Sequence, residues 1–170
     1  FIDTAFNKPI EVAKEICTAV VTESIDIRWN SYLRPGDFDQ ELANLMKDSG
    51  CSLALLSDAG GDSQTLEEKL ISMERIVDLC RLESLPCAVT MDFGGPDETV
   101  HGTELKLSFL KKAAPTFTVL RLGKRVLPGT KIADEAMKSG LIDSEHDLLE
   151  PTFYVNPKLA IWLRERLVAE

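Results

Sequence analysis

The chain has 170 residues, of which 44% are hydrophobic and 28% charged, a composition typical of a globular domain with a substantial core. Its net charge of −9 argues against a nucleic acid held on a basic surface, and its apolar runs are too short to span a membrane. We therefore predict a single domain over residues 1–170 and expect neither a nucleic acid nor a membrane as its partner.

Apolar segments of strand length alternate with segments of helical periodicity along the whole chain. The predicted strands are residues 1–5, 25–33, 52–57, 88–93 and 117–122. Asn7 and Pro9 are start signals for the first predicted helix. Further helices are predicted to run over 37–50, 65–80, 99–112 and 131–139, and a last one to begin at Asn156. Thr65 and Glu68 have the spacing of a capping box at the start of the third helix.

The spacing of the strands indicates the architecture. Successive strands start 24 to 36 residues apart, close to the roughly 31 residues per unit of an eight-unit barrel. Alternating strands and helices predict a parallel sheet with right-handed crossovers. Because five strands cannot close such a barrel, we predict an α/β fold that is part of a (β/α) TIM-type barrel, with helices on its outer face.

An incomplete barrel leaves two sheet edges and its inner face open. We expect parts of Met91, Phe93 and Val119 to be exposed on that inner face. Open edges and apolar patches promote association. The chain is therefore predicted to form a homo-oligomer.

The four cysteines, Cys17, Cys51, Cys80 and Cys87, lack the close pairs of zinc and iron–sulfur sites. We interpret them as buried small hydrophobic residues in a reducing compartment, which predicts a cytoplasmic protein. No metal ligand is predicted, because the two histidines also lie in polar surroundings without a partner at ligand spacing.

Polar side chains interrupt three of the predicted strands. The segment 25–33 alternates apolar residues with Asp26, Arg28, Asn30 and Tyr32, and Asp92 and Arg121 interrupt later strands. If the apolar face packs against helices, these polar groups point into the lumen, where they must pair or hold a polar ligand. The alternative is an exposed face of an edge strand. Asp92 is the best titratable candidate, although a structural pairing with Arg121 or Arg28 explains it equally well. Lys124 and Arg125, in the basic segment 122–128, are interpreted as a solvated strand extension.

A glycine-rich turn, Phe93-Gly-Gly-Pro-Asp-Glu-Thr99, follows a buried strand and precedes a helix. Downstream come Leu127-Pro-Gly-Thr130 and Asp147-Leu-Leu-Glu-Pro-Thr-Phe-Tyr154. This ordered series resembles the C-terminal part of a radical S-adenosylmethionine domain, of the branch often linked to a cobalamin-binding domain. The cluster motif CxxxCxxC does not occur, and Phe1 opens directly into an apolar run. We therefore interpret the chain as a fragment of a longer protein.

The resemblance implies an enzyme that uses a 4Fe-4S cluster to cleave S-adenosylmethionine and generate a 5′-deoxyadenosyl radical, with cobalamin as a further cofactor where that domain is present. Its small-molecule substrate is unknown. By position in the family pattern, Arg28, Asn30, Tyr32 and Arg34 would offer polar groups to S-adenosylmethionine, with further contacts predicted for Ser57, Asp92 and Arg121. The chain departs from the family at Leu56, Ala59 and Asp97.

Without the cluster motif, the fragment itself is expected to bind no cofactor and to be inactive. Two other classes remain open. One is a barrel enzyme of the aldolase or lyase type, using Asp92 and a lumenal arginine, but Lys124 and Lys131 lie beyond the last strand. The other is a non-catalytic α/β interaction module that presents its open sheet edge to a partner.

Overall fold

The computed structural model describes residues 5–58 and 65–168, in which strands and helices alternate. The first four strands are β1 (Trp29–Leu33), β2 (Cys51–Ser57), β3 (Cys87–Phe93) and β4 (Phe117–Leu122). The first four helices are α1 (Ile10–Thr22), α2 (Gln40–Asp48), α3 (Leu66–Leu82) and α4 (Val100–Ala113). They are followed by β5 (Lys124–Arg125), α5 (Lys131–Lys138), a 3₁₀ helix (Glu145–Leu149), β6 (Phe153–Tyr154) and α6 (Pro157–Val168).

The four longer strands form one parallel sheet in the order β1-β2-β3-β4. The predicted α/β fold with parallel strands in chain order is thereby confirmed, and it is compatible with part of a barrel. Tyr32 lies beside Leu55, and Ser57 lies beside Thr90. The strand predicted over 1–5 falls almost entirely on residues 1–4, which lie outside the described residues.

Strand β1 begins at Trp29, four residues later than the pattern predicts. Ile25 and Ile27 are 49% and 37% exposed, and Arg28 is exposed as well. The pairing explains the difference, because Trp29 lies beside Cys51, the first residue of β2. Just before β2, Gly50 has a φ of +88° and lies so close to the Ile27 carbonyl that a Cβ would collide with it. The segment that precedes β1 is therefore a loop, and it passes close to the end of α2 at Gly50.

The helix starts follow the predicted capping chemistry. Thr65 and Glu68 form a reciprocal capping box at α3, and Thr130 caps α5 by accepting from the Ala133 N–H. Helix α2 starts at Gln40, directly after its cap Asp39, and not at residue 37. The Asp39 carboxylate accepts from the Leu42 N–H at 2.8 Å and pairs with Lys14 of α1 at 2.7 Å.

The chain divides into two compact units. The first comprises Phe1–Met91 and Leu105–Val119, and the second comprises Asp92–Glu104 and Leu120–Glu170. The first buries large apolar side chains such as Leu33, Phe38 and Met46. The second contains a small core cluster formed by Val126, Ala133, Ala136, Ile142 and Tyr154.

The segment interpreted as a solvated extension of β4 is instead part of a second sheet. Strand β5 pairs antiparallel with β6, with Lys124 beside Tyr154 and Arg125 beside Phe153. The distant strand β6 supplies this pairing, and its Tyr154 is buried in the cluster of the second unit.

The exposure predicted for the inner face is wrong for two of its three residues. Met91 and Phe93 are fully buried, whereas Val119 is 47% exposed. Side chains alternate along β3, so Met91 and Phe93 lie on the face opposite Thr90 and Asp92. The open apolar surface is instead on β4, where all six residues are exposed. The predicted homo-oligomer remains a prediction. No helix within 5–58 or 65–168 combines the length and apolar character needed to cross a membrane.

Candidate functional site

In the first unit, one face of β1, here called its open face, carries the exposed residues Asn30 and Tyr32. Trp29, Ser31 and Leu33 are buried, while Asn30 and Tyr32 are exposed. This alternation places the two polar candidates on one face of the sheet, as the pattern in the sequence indicates. Arg28 lies in the loop before the strand and does not share the regular alternation.

A buried asparagine holds the turn after β1. The side-chain Oδ1 of Asn7 accepts from the Arg34 N–H at 2.9 Å, and its Nδ2 donates to the carbonyls of Arg34 and Asp37 at 3.0 and 2.9 Å. The Phe6 N–H donates to the Tyr32 carbonyl at 2.9 Å, which brings Asn7 to this turn. The backbone of the predicted cofactor ligand Arg34 is therefore fixed. Sequence reasoning assigned Asn7 only a helix-start role, because its partners lie 27 and 30 residues away.

The end of β2 carries an ion pair that sequence reasoning missed. Lys106 of α4 lies 3.8 Å from the Asp58 carboxylate, and the two side chains are only 11% and 10% exposed. The Asp58 N–H donates to the Thr90 carbonyl at 3.3 Å. The neighbouring candidate Ser57 is 7% exposed, so it lies within the sheet and not on an open surface. The departure at Ala59 lies outside the described residues.

In the second unit, the glycine-rich turn after β3 is closed by its own glutamate. One carboxylate oxygen of Glu98 accepts from the N–H groups of Gly94 and Gly95 at 2.5 and 3.1 Å. Gly94 has a φ of +85°, a conformation that favours glycine. Thr99 caps α4 by accepting from the Gly102 N–H at 3.1 Å. Thr99 therefore caps the helix, whereas Glu98 stabilises the turn.

A second buried asparagine clamps this turn from the start of α6. The Asn156 side chain donates through Nδ2 to the carbonyls of Pro96 and Glu98 at 3.1 and 3.2 Å, and its backbone N–H donates to the Gly94 carbonyl at 2.9 Å. Its Oδ1 accepts from the Lys158 N–H at 3.0 Å. Asn156 was predicted only as a helix start, because the partners in the turn lie about sixty residues earlier.

The structure brings two predicted site residues together at the ends of β3 and β4. The Arg121 Nε lies 2.6 Å from an Asp92 carboxylate oxygen. The Asp92 side chain is 16% exposed and that of Arg121 is 52% exposed. Of the two partners considered for Asp92, the structure assigns Arg121. This carboxylate therefore orients a guanidinium group.

The cysteines are all free and buried. Burial raises the pKa of the Cys51 thiol to about 12 and also raises that of Cys17. A hydrogen bond with Cys87, together with burial, raises the pKa of Cys80. Within the described parts of the chain, no three His, Cys, Asp or Glu side chains come together as possible metal ligands. These residues therefore do not fit an iron–sulfur cluster, whose ligands are grouped thiolates.

Because the thiols are buried, we predict that they resist alkylation in the folded chain. In the folded chain, iodoacetamide at mildly alkaline pH should leave all four cysteines unmodified, because all four thiols are buried and the pKa values of Cys17, Cys51 and Cys80 are raised. In denaturing guanidinium, mass spectrometry should show four additions. Rapid modification of a cysteine in the folded chain would contradict the assignment.

Comparison with known proteins identifies the class to which the fold is similar. No protein-family model matches the chain. Over 79% of its length the chain is similar to solved structures of a radical S-adenosylmethionine methyltransferase, with a TM-score of 0.66 and 26% sequence identity. The resemblance to the radical S-adenosylmethionine family is thereby confirmed, in a cobalamin-dependent member.

The solved structures are those of TsrM from Kitasatospora setae. One contains cobalamin and a [4Fe-4S] cluster, and another contains a tryptophan substrate and the S-adenosylmethionine analogue aza-SAM. Among curated proteins, the chain is 24% identical over 147 residues, 84% of its length, to the uncharacterized methyltransferase PH0819 of Pyrococcus horikoshii. The chain spans 32% of that relative and 30% and 29% of the two TsrM chains, about a third of their lengths.

Proposed function

We propose that the chain forms part of a cobalamin-dependent radical S-adenosylmethionine methyltransferase. The observation that carries this proposal is the similarity to TsrM, which combines a TM-score of 0.66 with 26% identity over 79% of the chain. The methyltransferase relative from Pyrococcus horikoshii supports the same class of reaction. Because the chain spans about a third of these proteins, catalysis is proposed for the whole enzyme.

In this enzyme, the open face of β1 would hold the polar parts of S-adenosylmethionine. The Asn30 amide and the Tyr32 hydroxyl are exposed on that face and both donate and accept hydrogen bonds. The turn at Arg34, fixed by Asn7, adds a cation at the carboxyl end of the same strand. When bound, the cluster and cobalamin supply the electron-transfer and methyl-carrier chemistry. The role proposed for the residues of this chain is to orient S-adenosylmethionine.

The described residues support different roles for this chain and for the rest of the enzyme, which would hold the cluster. Their thiols are buried, and no three possible metal ligands come together among the described residues, so the proposed cluster would need ligands from elsewhere. We accordingly propose that the 170-residue chain alone neither assembles the cluster nor cleaves S-adenosylmethionine.

The proposal is tested by S-adenosylmethionine binding in the enzyme that contains this chain. Asn30→Ala should raise the dissociation constant about fivefold, since one hydrogen bond contributes about 1 kcal/mol. Arg28→Ala is measured in parallel, because the family pattern also assigns that residue to the cofactor. Asn44→Ala is the matched control, because Asn44 is exposed on α2 and its side chain donates to the Glu83 carboxylate. If the affinity for S-adenosylmethionine is unchanged in both test variants, the open face of β1 is not part of the cofactor site.

A further inference from the structure

The second unit contains a cleft at the carboxyl ends of β3 and β4, whose lining joins the predicted cofactor contacts Asp92 and Arg121 to residues that have no assigned role. Its volume is about 560 Å³, within the usual range for small-molecule sites. It is lined by Asp92, Arg121, Leu122, Gly123, Lys124, Arg125, Ile132 and Phe153. The cleft is therefore shared between the end of β4, the β5–β6 pair and the first turn of α5.

The charge of this cleft is opposite to that of the chain. Three cationic side chains, Arg121, Lys124 and Arg125, meet one carboxylate, Asp92, in a protein whose net charge is −9. The Nε of Arg121 donates to the Asp92 carboxylate. The terminal nitrogens of Arg121 have no acceptor among the described residues. Neither Lys124 nor Arg125 has a carboxylate within 4.0 Å in the described part of the chain. The cations are therefore available to an anion, and Arg121 presents a planar pair of donors.

The remaining walls of the cleft are apolar and accessible. Phe153 is 54% exposed and Leu122 is 47% exposed, while Ile132 is half-buried. Phe153 lies directly beside Arg125 in the β5–β6 register. An aromatic surface next to cations suits a ligand that has an apolar body as well as an anionic group.

The backbone that carries these side chains is held in place. The Gly123 N–H donates to the Phe93 carbonyl at 2.7 Å, and the Val126 N–H donates to the Thr152 carbonyl at 2.9 Å. The stem of Lys124 lies against Gly95, where an added Cβ would approach its Cε to 3.2 Å. Tyr154, opposite Lys124, is buried in the core cluster. The positions of the cations are thus set before any ligand arrives, which lowers the entropic cost of binding.

We propose that this cleft binds a small organic carboxylate with an apolar or aromatic body. The carboxylate contacts Arg121, Lys124 and Arg125, and the apolar body packs on Phe153, Leu122 and Ile132. The binding itself stands independently of the methyltransferase proposal. Its assignment to the substrate rests on that proposed function, because the cleft opens at the strand ends where such enzymes hold their ligands.

Calorimetric titration of the 170-residue chain with 3-phenylpropionate tests the proposal. We expect saturable binding that weakens with added salt, since ion pairing is screened. Acetate, which lacks the apolar body, and 3-phenylpropan-1-ol, which lacks the charge, should each bind at least about tenfold more weakly. Inorganic phosphate that binds as tightly as 3-phenylpropionate would overturn the amphipathic assignment. Absence of saturation at millimolar 3-phenylpropionate would overturn the site.

Variants locate the binding. Lys124→Gln and Arg125→Gln should each weaken 3-phenylpropionate binding at least about fivefold, and Phe153→Ala should do the same by removing the apolar wall. Lys131→Gln is the control, because it removes the same charge from α5 at an exposed position outside the cleft. Thermal melting of each variant checks the fold. Arg125 and Phe153 are exposed, so these two substitutions test the site even if Lys124→Gln unfolds the chain. Equal affinity in the control and the cleft variants would refute the assignment, and Asn30→Ala separately tests the cofactor proposal.

Discussion

Replacing Asn156 with Ala should lower the free energy of unfolding by about 3 kcal/mol. The Asn156 side chain is almost fully buried and makes three hydrogen bonds to backbone groups, two of them in the turn after β3. Alanine would remove the hydrogen bonds that Asn156 makes to the Pro96 and Glu98 carbonyls and to the Lys158 N–H. Urea denaturation at constant slope measures the change.

Two further variants separate hydrogen bonding from the other effects of the substitution. Asn156→Asp keeps the size of the side chain but removes the donor, so it should destabilise at neutral pH at least as much as alanine. Asn44→Ala, on the exposed surface of α2, should change stability by less than about 0.5 kcal/mol. If Asn156→Asp were as stable as the parent chain, the two donated hydrogen bonds would not be what closes the turn.

Replacing Lys106 with Met should cost about 3 kcal/mol of stability, because it removes the ammonium group that lies against the buried Asp58 carboxylate. The opposite charges, 3.8 Å apart and shielded from water, join α4 to the turn after β2. Equilibrium unfolding measures the loss. The double variant Asp58→Asn/Lys106→Met should recover at least about 1 kcal/mol relative to the sum of the single changes.

Helix α4 supplies a matched control for this pair. Lys112 pairs with Glu74 at 2.8 Å, but its side chain is 72% exposed. Lys112→Met should therefore change stability by less than about 1 kcal/mol, as exposed ion pairs do. Equal costs at positions 106 and 112, or strict additivity in the double variant, would show that burial does not strengthen the Asp58–Lys106 interaction.

Local patterns were sufficient to predict the elements and several of their details. The capping box at Thr65 and Glu68 depends on residues three apart, and the exposure of Asn30 and Tyr32 depends on simple alternation. The pairing of Asp92 with Arg121 was also among the predicted alternatives, because the carboxyl ends of neighbouring parallel strands meet at one edge. Each of these features is encoded by neighbours in sequence or by a general rule of sheet geometry.

Contacts between distant segments could not be predicted in this way. Asn7 and Asn156 carry no signal beyond a helix start, yet each closes a strand-end turn 27 or more residues away. Lys106 sits in an amphipathic helix, where its burial depends on the position of Asp58. The segment Lys124–Arg125 becomes a strand because Phe153–Tyr154 pairs with it, and that pairing places its two cations beside Phe153.

The sequence by itself determined the order of strands and helices, the parallel sheet and the family resemblance, because periodicity, caps and turn residues act over a few positions. Only the tertiary structure decided where β1 begins, which asparagines clamp the turns and which cations share a cleft. Those outcomes depend on hydrogen bonds and ion pairs between buried polar groups and partners far along the chain. Short-range sequence patterns do not identify such partners.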